Sequence, residues 1–307
     1  MTLILKQFDK NKYLSKRINL FKECFPELTN TAVFKYKHYD WKFHSFPIKP
    51  KSYEYGAFIF DKLVGYYAAI PYRYRIENKI FVAGMVCDVM TSTQERKKGV
   101  FTKLGDFASK EMKNSNIDFT TGFPIRPAVL PGHLKVGWKI ICKLPLYIKF
   151  FKLDSLLKSK NLFLLSYPLN LVIKIFSIMS RILLFSNSSY SYKILNESEL
   201  NDFFEFEYNT FFDLWGKNIP NVLQKNLKFI KWRTRAPESQ YDFIIIRKDN
   251  KVVALTITRF IILENIPRIA VLDVMILPEH YSCFNLISHA LELLSKIYNA
   301  EVIVTML

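Results

Sequence analysis

Between Asp88 and Phe101 the chain runs Asp-Val-Met-Thr-Ser-Thr-Gln-Glu-Arg-Lys-Lys-Gly-Val-Phe, and its second half gathers residues suited to holding an anion. Arg96, Lys97 and Lys98 set three cations in a row, and Gly99 removes side-chain bulk where backbone must approach a ligand. Val100, Phe101, Leu104, Ala108 and Met112 then recur at helical spacing, so the loop opens a helix. Free amide N–H groups at such a terminus, with the positive end of the helix dipole, suit a diphosphate. No acidic residue stands within Arg96–Phe101. A basic turn with a glycine hinge has the same composition, so the loop alone leaves both readings open.

The elements that must position this loop are legible in an internal repeat. Tyr39–Pro47 leads into Tyr55–Phe60 as Ile230–Pro237 leads into Tyr241–Ile246. Polar turns follow at Asp61-Lys62 and Lys248–Lys251, then strands at Leu63–Ile70 and Val252–Arg259. Val86-Cys87-Asp88-Val89-Met90 is echoed by Val271-Leu272-Asp273-Val274-Met275. The spacing from Trp41 to Asp88 is 47 residues, and from Trp232 to Asp273 it is 41. Five elements in one order mark two copies of one fold. The expected class is α+β: two tandem domains, each a mixed, mostly antiparallel sheet flanked by helices.

In the first copy the pattern predicts a helix at Lys12–Cys24 and strands at Tyr55–Asp61, Leu63–Ile70, Tyr72–Glu77, Ile80–Met90 and Asp118–Phe123. In the second, Asn196 and Glu199 have capping-box spacing ahead of a helix Glu199–Phe211. The domain ranges read 1–150, an apolar helical linker 151–190, and 191–307. The second copy is degenerate and short at its C-terminus, lacking the closing strands that the first has in Trp138–Phe151. The repeated Trp41 and Trp232 are expected to anchor helix to sheet.

Arg96–Phe101 resembles the Arg/Gln-x-x-Gly-x-Gly/Ala loop of the GNAT (N-acetyltransferase) superfamily, at the same strand-to-helix position. The run from Trp41 through Asp88, the basic loop, Thr121-Gly122-Phe123-Pro124 and Gly137-Trp138 is similar to a tandem bacterial subgroup of GNAT proteins often found with surface-polysaccharide genes. The resemblance covers most of residues 30–140. It implies transfer of an acetyl or similar acyl group from acetyl-CoA, or another acyl-CoA, to an amine or hydroxyl. By analogy the acceptor is a small molecule, a sugar or a glycan precursor of the cell surface. It also implies that amides of Arg96, Lys97, Lys98, Gly99, Val100 and Phe101 hold the pyrophosphate. Val89, Met90 and Thr91 would splay from the next strand, bind the pantetheine arm and polarise the thioester carbonyl. Three features depart from the pattern. Phe101 fills a slot where the family has Gly or Ala, and Ile125 stands where Asn is expected. The second copy has Pro278–Asn285 at the loop position, with no Arg-x-x-Gly and with Glu279 near the helix start, so it is expected to be inactive.

Acyl transfer needs a base for the nucleophile's proton and a group to protonate the leaving thiolate. Asp88, at the end of the strand leading to the expected thioester, is one catalytic candidate. Its counterpart Asp273 survives in the copy without the loop, which favours a structural role. His133 is the second candidate, with a solvated loop histidine as its alternative. Glu54 and Tyr55 are placed to line the acceptor side. Tyr66, Tyr67, Tyr72 and Tyr74 suit either a stacking platform or a half-buried sheet face. His38, His44, His280 and His289 have no ligand spacing, so no metal is expected.

Composition bounds the reading. Half of the 307 residues are apolar and 16% aromatic, enough for a large core. The net charge of +17 is uneven: residues 1–150 carry 26 Lys and Arg against 12 Asp and Glu, and the remainder 18 against 15. An anionic partner for the first half, or a generally basic surface, accounts for that. The scattered Cys24, Cys87, Cys142 and Cys283 form no CxxC pair. Their setting reads as reduced thiols, buried at Cys87 and Cys142, in a cytoplasmic protein. The N-terminal apolar run is too short for a signal peptide. Asn161–Ser186 is almost wholly apolar, broken by Pro168, Lys174 and Arg181, and is expected to pack between domains or rest peripherally at the inner membrane face. Two rival readings are carried: an aminoacyl-tRNA-dependent Fem-type transferase, which would bind tRNA with steep salt dependence, and a non-catalytic membrane-surface scaffold.

Overall fold

The computed structural model describes residues 2–306 apart from 125, 185–188, 201 and 218, and side chains apart from those of 176–184, 202 and 203. Ile125 and the end of the apolar stretch therefore lie outside the described residues. In chain order the elements are β1 (Ile4–Gln7), α1 (Lys10–Cys24), α2 (Tyr36–His44), β2 (Tyr53–Ile59), β3 (Lys62–Ile76), β4 (Lys79–Thr91), α3 (Val100–Asn114), β5 (Phe119–Thr121) and α4 (Leu130–Lys135). They continue with β6 (Leu146–Phe150), α5 (Asp154–Ser159), α6 (Ser166–Leu184), β7 (Tyr190–Asn196), α7 (Asp202–Lys217), β8 (Asn221–Leu223) and α8 (Leu227–Thr234). The last are β9 (Gln240–Lys248), β10 (Lys251–Leu263), β11 (Ile266–Ile276), α9 (Phe284–Ile297) and β12 (Val302–Met306). Two compact units result: Met1–Ile141 with Pro220–Glu238, and Cys142–Ile219 with Ser239–Leu307. These ranges differ from the sequence division at 150 and 190.

In the first unit the sheet runs β1-β2-β3-β4-β5, with β8 paired to the far end of β3. Every pairing is antiparallel except β4 with β5. The two strands predicted on either side of Pro71 are one strand, β3. The β2 ladder ends at Ala69 and the β8 ladder begins at Tyr74, so at Pro71 only β4 lies alongside, an edge position where a missing N–H is tolerated. Helix α3 lays Val100, Leu104, Ala108 and Met112 onto Tyr55, Val64, Tyr67 and Ala69, forming the core of one sheet face. Helices α1 and α2 meet the other face, where Arg17 of α1 reaches Asp88 of β4 and Tyr39 of α2 reaches Glu54 of β2.

The repeated tryptophans correct an expectation. Both lie in the first unit, where Trp41 and Trp232 stack on each other with ring centroids 5.0 Å apart and planes 12° from parallel. Each indole N–H donates to the other residue's carbonyl, at 2.6 and 3.0 Å. They bind helix α2 to helix α8.

The second unit's sheet runs β6-β12-β11-β10-β9-β7. Leu146–Phe150, read from sequence as closing the first copy, pairs antiparallel with β12 from Leu146↔Met306 to Phe150↔Val302. The second copy thus ends in sequence at β12 but is closed by a strand that precedes it. The Asn196–Glu199 capping box is present, but it closes a single 3-10 turn, Glu197–Glu199. Leu200 is extended, so α7 starts only at Asp202. Among the cysteines, Cys24 and Cys283 are buried, Cys87 is half-buried, and Cys142 is exposed, contrary to expectation. The described part of the apolar stretch is largely exposed, including Leu164 at 91% and Tyr167 at 82%. Among the described residues no helix is long and apolar enough to cross a membrane.

Candidate active site

The site is set by the way β4 leaves β5. The two strands pair only at Ala83↔Phe119, Gly84↔Thr120 and Met85↔Thr121. β5 ends at Thr121 while β4 continues to Thr91, so the ladder ends at Met85 and β4 runs on without a ladder partner on that edge, a splay in the pairing of the two strands. On its other edge β4 bulges against β3: Tyr66 faces Met90 and Ala68 faces Cys87, leaving Asp88 and Val89 opposite Tyr67 alone. Asp88 takes a left-handed φ of 50° within this bulge. The extra residue turns Asp88 toward α1 and lets Val89 pack on the α3-side core.

Beyond β4 the chain makes a 3-10 turn at Thr93–Glu95 and enters α3 through Gly99, the N-cap, at φ 81°. Lys97 is also left-handed, at φ 63°. A Cβ built on Gly99 would meet only Thr102 Oγ1, at 3.9 Å, so the residue borders open space. Among the described residues no side chain caps α3, and its first turn holds no acid. The first-turn amides of α3 are thereby available to an anion. Arg96, Lys97 and Lys98 are exposed around them. Arg96 Nε donates to the Thr91 carbonyl at 3.3 Å, and Lys98 pairs with Glu95 at 3.3 Å.

Glu23 of α1, which sequence reasoning missed, pins the base of the loop. Its Oε1 accepts from Ser92 Oγ at 2.9 Å, Thr93 N at 2.5 Å and Thr93 Oγ1 at 2.6 Å. Partial burial opposes ionisation, but these bonds outweigh it and hold the carboxyl below its ordinary range. Residues 70 positions apart carry no local pattern that would have revealed the contact.

The two catalytic candidates fall on opposite faces of the sheet. Asp88 accepts from Arg17 Nη2 at 2.8 Å and from Lys42 Nζ at 2.6 Å. Burial would raise its pKa, but Lys42 and then Arg17 outweigh that, and the carboxyl sits below its usual value. A carboxylate with both oxygens engaged by cations is a weak proton acceptor. His133, on α4, is buried under the α3 face between Phe101 (ring centroids 5.0 Å) and Trp138 (4.3 Å). Desolvation lowers its pKa and keeps the imidazole neutral at pH 7. Phe101 itself abuts Gly132, where an added Cβ would lie 2.5 Å from the ring.

On the Asp88 face, Glu54 is buried and accepts from Tyr39 Oη at 2.7 Å, Tyr66 Oη at 2.6 Å and Ser52 Oγ at 3.0 Å. His44 Nε2 lies 3.6 Å from the same carboxylate. Burial lowers the His44 pKa, while Glu54 favours the imidazolium. Tyr66, Tyr67 and Tyr72 are buried, so the tyrosine-rich strand is not a stacking platform.

The acetyltransferase (GNAT) domain family model matches residues 9–141, the segment that holds the β4–β5 pair, the β4 bulge and the uncapped basic loop. Residues 9–141 are similar to the GNAT acetyltransferase domain. No curated protein matches the chain in sequence. Among solved structures, a probable N-acyltransferase from Enterococcus faecalis V583 superposes with a TM-score of 0.67 at 10% identity, covering 100% of this chain. This chain spans 65% of that protein's length. A tandem GNAT protein from the clavulanic acid biosynthesis pathway gives a TM-score of 0.62 at 10% identity, over 100% of this chain and 90% of its own. Saccharomyces cerevisiae N-myristoyltransferase with bound myristoyl-CoA gives 0.60 at 12% identity, over 99% of this chain and 72% of its own. The chain therefore shares an α+β, two-sheet fold with that tandem GNAT protein.

Proposed function

We propose that the chain is an acyl-CoA-dependent N- or O-acyltransferase whose GNAT domain takes an acetyl or similar group from acyl-CoA. The observation that carries this reading is the uncapped, glycine-led start of α3, bordered by three exposed cations and opening beside the β4–β5 splay. In it, amides from Arg96 to Phe101 hold the pyrophosphate, and backbone groups of Val89, Met90 and Thr91 hold the pantetheine arm and thioester. The acceptor is an amine or hydroxyl on a sugar or cell-surface precursor. That choice follows the resemblance of the sequence, whereas the acyl-CoA half follows the loop. The second unit has Glu279 in the corresponding 3-10 segment, where it would repel phosphate, and is assigned no cofactor.

For the proton step we assign Asp88 to positioning, because its oxygens are occupied by Arg17 and Lys42. The acceptor's proton passes instead to His44, neutral at pH 7, with Glu54 stabilising the imidazolium that forms. Nucleophile attack forms the new acyl bond, the C–S bond breaks, and CoA leaves as a thiolate that is protonated from solvent. His133 is assigned to the wall of the acyl-CoA channel. The exposed apolar residues from Leu162 to Ile175 favour peripheral contact with a membrane, which would hold the protein at the cytoplasmic face near a lipid-linked acceptor.

The test is thiol release from a chain-length series of acyl-CoAs in the presence of amino sugars and their nucleotide-linked forms. Acceptor-dependent release with one acyl length preferred is the expected result. Acceptor-independent background with every pair, beside tRNA binding of steep salt dependence, would favour the aminoacyl-transferase reading instead.

A further inference from the structure

Two polar side-chain atoms beside the splay are fully buried and have no hydrogen-bond partner: Tyr67 Oη and Trp138 Nε1. A third such atom, Thr91 Oγ1, is close by in register, since Thr91 pairs with Gly65, two residues before Tyr67 on β3. Tyr67 is only 1% exposed and is the residue facing the Asp88–Val89 bulge. Trp138 covers Gly122, just past the end of β5, where a Cβ would meet its ring at 3.0 Å and the Val86 carbonyl at 3.4 Å. His133 lies between the two, with ring centroids 6.4 Å from Tyr67 and 4.3 Å from Trp138. The orphaned groups thus flank β4, Tyr67 from the β3 side and Trp138 over Gly122 on the β5 side.

A buried hydroxyl or indole N–H without a partner is costly, and proteins keep such groups where a ligand completes them. An indole N–H only donates. The phenol of Tyr67 is pushed above its ordinary value by burial and remains a protonated donor at any working pH. Two neutral donors, one on each side of β4, suit carbonyl oxygens as acceptors.

We propose that Tyr67 and Trp138 are hydrogen-bond donors reserved for carbonyl oxygens of the pantetheine arm or thioester of a bound acyl-CoA. This rests on the acyl-CoA reading above and adds to it two binding residues outside the pyrophosphate loop. Neither transfers a proton: a phenol held above its usual pKa suits stabilising a carbonyl, not giving up its hydrogen to a thiolate.

The test pairs stability with binding. For Tyr67→Phe, unfolding and calorimetry are measured with acetyl-CoA and with adenosine 3′,5′-bisphosphate, which keeps the 3′-phosphate and the first phosphate of the pyrophosphate but has no pantetheine. The ligand-free variant should be as stable as wild type or more so, because an unsatisfied hydroxyl is gone. Its acetyl-CoA Kd should rise about three- to tenfold, with affinity for the bisphosphate unchanged. Trp138→Phe should show the same selective loss, and the Trp138 indole N–H resonance should move with acetyl-CoA but not with the bisphosphate. Loss of stability in ligand-free Tyr67→Phe, or unchanged acetyl-CoA affinity, would overturn the donor assignment while leaving the acyl-CoA reading intact. Failure of wild type to bind either ligand would remove both.

Discussion

Arg17 donates to Asp88 at 2.8 Å across 71 residues of sequence, joining helix α1 to the bulge of β4 while Lys42 occupies the second carboxylate oxygen. The pair fixes the strand segment that leads into the loop. Removing one member of a buried ion pair leaves the other uncompensated, so Asp88→Asn is expected to cost about 3 kcal/mol. Because the folded pKa of Asp88 lies below its unfolded value near 3.8, its contribution is present above that pH and is lost as pH falls through the folded value. Urea unfolding from pH 6 to 2 checks this: the decline on acidification should be shallower in the variant.

His44 is expected to govern the acid limb of activity. Burial holds it below its ordinary 6.5 against the pull of Glu54, with Lys10 and Lys51 lowering it further and Asp40 opposing them. With the neutral form as the proposed base, kcat/KM should fall on the acid side, at a pH below the ordinary histidine value. His44→Asn should lower kcat/KM about 100-fold and abolish that limb, with acyl-CoA affinity unchanged. A pH–rate profile with an intact acid limb in the variant would reassign the base.

Phe101 and Gly132 form a close contact between α3 and α4. Gly132→Ala places a Cβ 2.5 Å from the ring and should cost about 1–3 kcal/mol through overpacking. Phe101→Leu in the same background should recover part of that loss. A double-mutant cycle by thermal unfolding measures the coupling, and additivity would contradict the contact.

The Trp41–Trp232 stack makes a similar prediction over a longer separation. When one indole is removed, the other loses its ring partner, and the bond that the removed indole donated to a main-chain carbonyl is lost with it. Either Trp→Ala change should cost about 3–5 kcal/mol, and the double variant should cost clearly less than the sum. Chemical denaturation of the four proteins is the check.

Much of this was legible in the sequence because it is written in local patterns. The apolar spacing of Val100, Leu104, Ala108 and Met112 located α3, and Gly99 marked the turn that leads into it. The repeat identified β2 to β4 and β9 to β11 but not β1, β7 or β8, and alternation placed β2 and β4 to within two residues. What failed depended on distant partners. Leu146–Phe150 is apolar enough to be a strand of either copy, and only the free edge of β12 decides which. Pro71 suggested a break because no local signal tells that β2 ends before it. The role of Asp88 turned on Arg17 and Lys42, whose spacing carries no motif, and Glu23 and His44 were invisible as site residues for the same reason.

The start of α3 carries the account, and calorimetry with acetyl-CoA on wild type and Gly99→Glu tests it most directly. The variant forces a side chain into φ 81° and sets a carboxylate among the amides proposed to hold pyrophosphate, whereas the space around Gly99 is open enough to admit the residue without a clash. The account predicts saturable binding by wild type, weakened by dephosphorylation of the ligand and lost in Gly99→Glu while the protein stays folded. No binding by wild type, or equal binding by the folded variant, would contradict it.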